Sequence, residues 1–332
     1  MIGAAGHAPI DFRDRVVVVT GGGGALGAAF SKELARRGAA VVVNDLGGDT
    51  TGQGSAADYA DVVVREIEAA GGRALANYDT VATEAGGEAI IDAALSRFGR
   101  VDAVISNAGN QRNAGFGALS ADDIDAVLAV HVKGAFFVCQ PAYRAMLRQG
   151  YGRLLLIGSQ SGVFGNPFRA NYGAAKTAMI GLMNVIAQEA PAGIAVNCLF
   201  PNARGGRLGG TPLAERPDGA FLKAAGERSR HYADAMTPES VAAMACYLVS
   251  NACTTSQNMY SVLGGKFARI FIGLTQGWCQ PGSEAPTSED ILDHLAAIDD
   301  CTRFDMPRSG LEEMDTVVAA RLAQKGTQAT GE

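Results

Sequence analysis

Tyr172 and Lys176 stand four residues apart in the stretch SQSGVFGNPFRANYGAAK. On a helix that spacing puts a phenol and an ammonium on one face, about one turn apart. A phenol holds its proton to a pH near 10, and an adjacent ammonium draws that value down by about 1–3 units, each worth about 1.4 kcal/mol. Such a tyrosine exchanges a proton with an alcohol or a ketone near neutral pH. Ser159, thirteen residues earlier at the end of an apolar run, offers a hydroxyl to hold the same substrate oxygen. Tyr-x-x-x-Lys alone is a frequent accident of helix surfaces, so its meaning depends on what accompanies it.

A second stretch, VVVVTGGGGALGAAF from Val16 to Phe30, reads as a buried strand, a glycine turn and the start of a helix. That arrangement aims backbone N–H groups and the positive end of a helix dipole at a phosphate. Two glycine patterns compete for it. From Gly22 the letters fit G-x-G-x-x-G through Gly24 and Gly27; from Thr20 and Gly21 they approach T-G-x-x-x-G-x-G, with Ala25 in the place of the middle glycine. Asp45 follows the second apolar run, eighteen positions after Gly27. An acid about 20 residues on accepts hydrogen bonds from the adenosine ribose and repels the additional phosphate of NADP, so NAD is the expected cofactor. Asp79-Thr80-Val81 after the third run and Asn107-Ala108-Gly109 after the fourth fall on the same carboxyl edge of a parallel sheet, where ligands of such sheets bind. Taken singly, each of these is equally an ordinary turn.

The elements that must carry these residues follow from the alternation of short β-branched runs with amphipathic stretches. Strands are expected at Val16 to Thr20, Ala40 to Asn44, Ala74 to Asn77, Ala103 to Asn107, Leu154 to Gly158, Ala195 to Leu199 and Asn258 to Leu263. Helices are expected near Ala28 to Arg37, Ala56 to Ala70, Ala89 to Phe98, Ala121 to Leu147, Tyr172 to Glu189 and Pro238 to Ser250, with Ser120 and Asp123 as a cap. The pattern predicts an α/β, Rossmann-like doubly wound parallel sheet of about seven strands with helices on both faces, occupying residues 1–265. Residues 201–236 read as a basic loop over the substrate, and residues 266–332 as a C-terminal extension.

With 332 residues, 48% of them hydrophobic and 19% charged, the chain is of globular composition. Its net charge of -6 argues against nucleic acid or an anionic membrane surface as partner, so an anionic ligand must meet local arginines such as Arg204 and Arg207. The six cysteines form no C-x-x-C pair and no metal site is expected. The first residues, MIGAAGHAPIDFRDR, lack the features of a signal peptide, and no apolar run approaches the roughly 20 residues of a membrane span. A cytoplasmic protein is expected.

TGGGGALG, Asn107-Ala-Gly, HVKGAFF, Ser159 and YGAAK, in this order from about Asp11 to Gly265, resemble the short-chain dehydrogenase/reductase family. The resemblance implies that Tyr172 is the general acid/base, that Lys176 binds the nicotinamide ribose and lowers the tyrosine pKa, and that Ser159 orients the substrate oxygen. It implies cofactor contacts from Gly21, Gly24, Ala25, Leu26 and Gly27 and from Pro201, Asn202 and Ala203 beyond the sixth strand. The catalytic asparagine usual in the family falls on His131.

VVVNDLGGDTTGQG, GGRALANYDTV, VHVKGAFF, YGAAK and FPNA are similar to the (3R)-hydroxyacyl-CoA dehydrogenase units of peroxisomal multifunctional β-oxidation enzymes, also classed as 17β-hydroxysteroid dehydrogenase type 4, where a histidine at that position is usual. The likeness is closest up to about Gly265, and the extension beyond it implies a homodimer or tetramer. The implied substrate is an acyl-CoA or a steroid, with Ser159, Tyr172, Arg204 and Arg207 touching it. A hydroxysteroid dehydrogenase, a 3-ketoacyl reductase and a non-catalytic NAD-binding regulator are the alternatives. The last residues, QATGE, do not read as a peroxisomal address, and a stand-alone unit without a hydratase or lipid-carrier segment is expected.

Overall fold

Val16–Val19 and Val41–Val43 are without accessible surface or nearly so. β-branched residues buried on both faces of a strand belong to the interior of a parallel sheet. In the computed structural model, which describes residues 8–205 and 213–329, they form β1 (Val16–Thr20) and β2 (Ala40–Asn44), joined by α1 (Ala25–Arg36). Chain order continues through α2 (Asp58–Ala69), β3 (Arg73–Asn77), α3 (Glu84–Phe98) and β4 (Ala103–Ser106). Then come α4 (Ala121–Leu128), α5 (Gly134–Gln149), β5 (Gly152–Ile157), the short α6 (Gln160–Val163), α7 (Ala170–Glu189) and β6 (Ile194–Asn202). The unit closes with α8 (Gly219–Ser229), α9 (Pro238–Val249), β7 (Asn258–Leu263) and β8 (Lys266–Ile270).

The sheet order is β3-β2-β1-β4-β5-β6-β7-β8, with the first seven strands in parallel register. Strand order reverses between β1 and β4, and the crevice outside their carboxyl ends is where such folds bind ligands. The eighth strand is one more than the apolar runs predict. Gly264 and Gly265, with φ of 54° and 75°, form the two-residue turn that folds β8 back on β7. β8 escapes notice because its residues are largely exposed and its letters, KFARI, include two cations.

Two further elements depart from the expected pattern. The single helix expected from Ala121 to Leu147 is broken by a π-helical turn at Ala129–Lys133, between α4 and α5, and His131 lies at its centre. This run, 121–149, is long and apolar enough by composition to cross a membrane, contrary to the reading of the sequence. Here its α5 part buries Ala135, Val138, Cys139, Ala142 and Met146 in the core. The region 201–236, expected to be loop, contains α8. The Ser120 cap is present as a full capping box with Asp123.

The chain divides into two units, Met1–Arg269 and Ile270–Glu332. In the second, β9 (Leu274–Thr275) pairs antiparallel with β10 (Phe304–Asp305). α10 (Ser288–Ile298) starts in a capping box of Thr287 and Asp290, and α11 (Gly310–Ala329) ends the described chain. Trp278 stacks on His294 with ring centroids 4.0 Å apart.

Candidate active site

A cleft of about 900 Å³ runs along the carboxyl ends of the strands. The glycine turn forms one end. Gly21 has φ of 63°, and a side chain there would stand 2.9 Å from Cα of Ala108. At Gly27 a Cβ would lie 2.1 Å from the carbonyl oxygen of Gly21, so α1 can approach β1 this closely only without one. Ala25 opens α1 in helical backbone, which is why its methyl is tolerated where the pattern expects glycine. The first turn of α1 has no side-chain cap, leaving its amide donors turned out for an anion.

Asp45, at the tip of β2, accepts from the amide of Gly23 at 2.9 Å and from that of Gly47 at 2.8 Å. The 44–53 segment lining this end contributes Asp45 and Asp49 and no cation. Asp79, Thr80 and Val81 line the cleft beside it, and Asn44 donates to both the Asn77 side chain and the Asp79 carbonyl at 2.8 Å. Asn107 ties the sheet together here, because its amide donates to Oγ1 of Thr20 and its carboxamide to the Thr20 carbonyl, locking β1 to β4. Gly24, Leu26, Ala108 and Gly109 complete this wall.

At the end of β6, Pro201 and Ala203 face the cleft and Asn202 does not; its carboxamide donates to Gln160 at 3.3 Å. The reason is the two-residue alternation of a strand, since β6 runs on to Asn202, three residues past its expected end. Arg204 is exposed at the rim. Arg207, expected beside it, lies outside the described residues.

Ser159, Tyr172 and Lys176 meet at the middle of the cleft. Ser159 follows the tip of β5 and caps α6, accepting from the amide of Ser161 at 3.2 Å. Lys176 is 4% exposed and donates to the carbonyl of Ile157 at 2.7 Å, its ammonium 5.7 Å from the centre of the Tyr172 ring. Burial lowers its pKa to about 8. The expected depression of the tyrosine pKa is not what the chain alone produces. Burial pushes the Tyr172 phenol up, while hydrogen bonding with Ser159, the charge of Arg169 and hydrogen bonding with Gln111 pull the other way.

His131 is 4% exposed and meets the Tyr172 ring edge-on at 5.2 Å between centroids. Its Nε2 lies 3.1 Å from the amide and 2.8 Å from the carbonyl of Asn110, and its Nδ1 is buried with no partner among the described residues. Burial, then the charge of Lys176, push its pKa down to about 3 against the pull of that hydrogen bond. It is therefore uncharged where it meets the Tyr172 ring, at the position where the family usually has an asparagine.

Gln111, Arg112, Arg169 and Asp218 belong to the site and were not foreseen. Arg169 was visible only as the residue three ahead of Tyr172, and Asp218 is hidden in Arg-Pro-Asp-Gly, which reads as a plain turn. The free amides of α1, the acid at the tip of β2 and the glycine turn fit a dinucleotide, with its reactive end toward Tyr172.

Residues 15–205 match the family described as short chain dehydrogenase. The chain belongs to that family, and is an oxidoreductase whose family uses a nicotinamide nucleotide. A short-chain type dehydrogenase/reductase of Mycobacterium tuberculosis is 41% identical over 289 residues, covering 87% of this chain and 95% of that protein. Peroxisomal multifunctional enzyme type 2 of Mus musculus is 37% identical over 312 residues, 93% of this chain but only 40% of the mouse protein. The likeness thus reaches beyond Gly265, where the sequence had suggested that it fades. The full-length peroxisomal multifunctional enzyme type 2 of Drosophila melanogaster superposes with a TM-score of 0.74 at 27% identity, over 95% of this chain and 50% of that one.

Proposed function

We propose that this protein oxidises the 3-hydroxyl of a (3R)-hydroxyacyl-CoA to the 3-ketoacyl-CoA with NAD. The observation that carries the reading is the convergence of Ser159, Tyr172 and Lys176 in the cleft that also holds the glycine turn and Asp45. The resemblance of VVVNDLGGDTTGQG, VHVKGAFF and FPNA to (3R)-hydroxyacyl-CoA dehydrogenase units supports the acyl-CoA, and related proteins from Saccharomyces cerevisiae and Neurospora crassa are named hydratase-dehydrogenase-epimerase.

Gly21, the first turn of α1 and Asp45 would hold the nucleotide, and the carboxylates of the 44–53 segment disfavour a ribose phosphate. NAD held there would supply the hydride acceptor and a positively charged ring. Tyr172, as phenolate, takes the hydroxyl proton; Ser159 fixes the substrate oxygen; Lys176, anchored on the Ile157 carbonyl, keeps a cation beside the phenolate. Arg112, Arg169 and Arg216 are committed to carboxylates, whereas Arg204 is exposed at the rim and suits the CoA phosphates. A cytoplasmic location is part of the same reading, and so is a homodimer, which the exposed Leu292, Leu311, Met314 and Leu322 of α10 and α11 support.

Initial rates test it, with NAD and NADP offered in turn against (3R)- and (3S)-hydroxyacyl-CoAs of several chain lengths, a steroid side-chain thioester and free 17β-hydroxysteroids. NADH formation confined to (3R)-thioesters is expected. Turnover of free steroids alone, or of the (3S) series, overturns the substrate assignment.

A further inference from the structure

Asp218 occupies the N-cap of α8, where an aspartate ordinarily accepts hydrogen bonds from the first amides of the helix. Its side chain accepts none of them. It is turned inward instead, with no accessible surface. One carboxylate oxygen accepts from Nη2 of Arg169 and from Nδ2 of Asn113, each at 3.0 Å, and the other accepts from Nε of Arg216 at 3.0 Å. Burial raises the affinity of this carboxyl for its proton, and the bonds and charges of Arg216 and Arg169 more than reverse that.

The three partners come from three parts of the fold. Asn113 lies on the loop after β4, Arg169 is the N-cap of α7 three residues ahead of Tyr172, and Arg216 is on the segment that leads into α8. Asn113, Arg216 and Asp218 all line the cleft that Tyr172 enters. A carboxylate removed from water is stable only where cations and donors replace its hydration. That replacement exists only while the 213–229 segment is seated against Asn113 and Arg169.

We infer that Asp218 is a positioning residue, a latch that seats the 213–229 segment on the cleft wall and so sets the substrate side of the site relative to Tyr172. Its kinetic consequence rests on the dehydrogenase reading above; the seating itself does not. Among the described residues Asp218 bonds to Asn113, Arg169 and Arg216 and to neither the glycine turn nor Asp45, so loss of the latch acts on substrate and spares the nucleotide.

The test compares the full-length wild type with Asp218→Asn and with Asn113→Ala, which leaves both ion pairs in place. Amide exchange across 213–229 is expected to quicken about tenfold or more in Asp218→Asn, and less in Asn113→Ala, while exchange in β1 and β2 stays unchanged. KM for the secondary alcohol is expected to rise about tenfold with the Kd for NAD held within about twofold. Unchanged exchange of 213–229 in both variants overturns the latch, as does faster exchange throughout the sheet together with weakened NAD binding. Should Asp218→Asn not fold, Asn113→Ala decides by the same two readouts. Should the wild type turn over no alcohol, the exchange measurement still decides the latch, and only the functional reading fails.

Discussion

At the scale of single residues, burial rather than pairing sets the proton affinities of the site. It pushes Tyr172 up, brings Lys176 to about 8 and takes His131 to about 3. Oxidation needs the phenolate, so kcat/KM for the alcohol should climb as pH rises through the range in which Tyr172 loses its proton. Because His131 is uncharged across the working range, it adds no inflection between about pH 5 and 8. His131→Asn, the residue usual in the family, should therefore keep activity within about fivefold and leave the pH profile in place. An inflection lost from that interval in the variant would restore His131 to the proton path. The spacing of Tyr172 and Lys176 displays their partnership in the sequence, but the direction of each shift depends on walls supplied by β5, the π-helical turn and the loop after β4. No local stretch of letters carries that information.

At the scale of elements, the glycine turn shows why two patterns could compete for one run of residues. Gly21, Gly22 and Gly27 all sit where a Cβ would collide, whereas Gly24 meets only the Gly21 carbonyl at 3.4 Å, an ordinary contact. The fit from Gly22 through Gly24 is thus formal, and the close approach of α1 to β1 depends on Gly21 with Gly27. Gly27→Ala should weaken NAD binding by about tenfold or more, while Ala25→Gly should change it by less than about threefold. Titration of nucleotide into the two variants checks this, and equal affinities would contradict the assignment. The elements β1, β2 and β7 were legible to the residue, because buried valine runs mark the first two and a short apolar run between turns marks the third. The π-helical turn was not, since one extra residue in a helical repeat leaves the apolar pattern of 121–149 almost intact.

At the scale of the whole molecule, the parallel sheet followed from the alternation of apolar runs, but its edge did not. A boundary drawn at Gly265 would cut the β7–β8 hairpin, whereas the chain divides after Arg269. A chain ending at Arg269 keeps every element that lines the cleft. It should bind NAD with an affinity within about threefold of the full chain and sediment as a smaller species, if the exposed apolar faces of α10 and α11 hold two copies together. A truncated chain that keeps the full chain's assembly state would remove the second unit from the interface.

The central claim is that Tyr172 performs proton transfer beside a bound nicotinamide. The direct measurement is NADH absorbance from wild type and Tyr172→Phe with a (3R)-hydroxyacyl-CoA, alongside NAD titration of both. The account predicts a fall in kcat of about a hundredfold or more with NAD affinity unchanged. Equal turnover by the two proteins would contradict it.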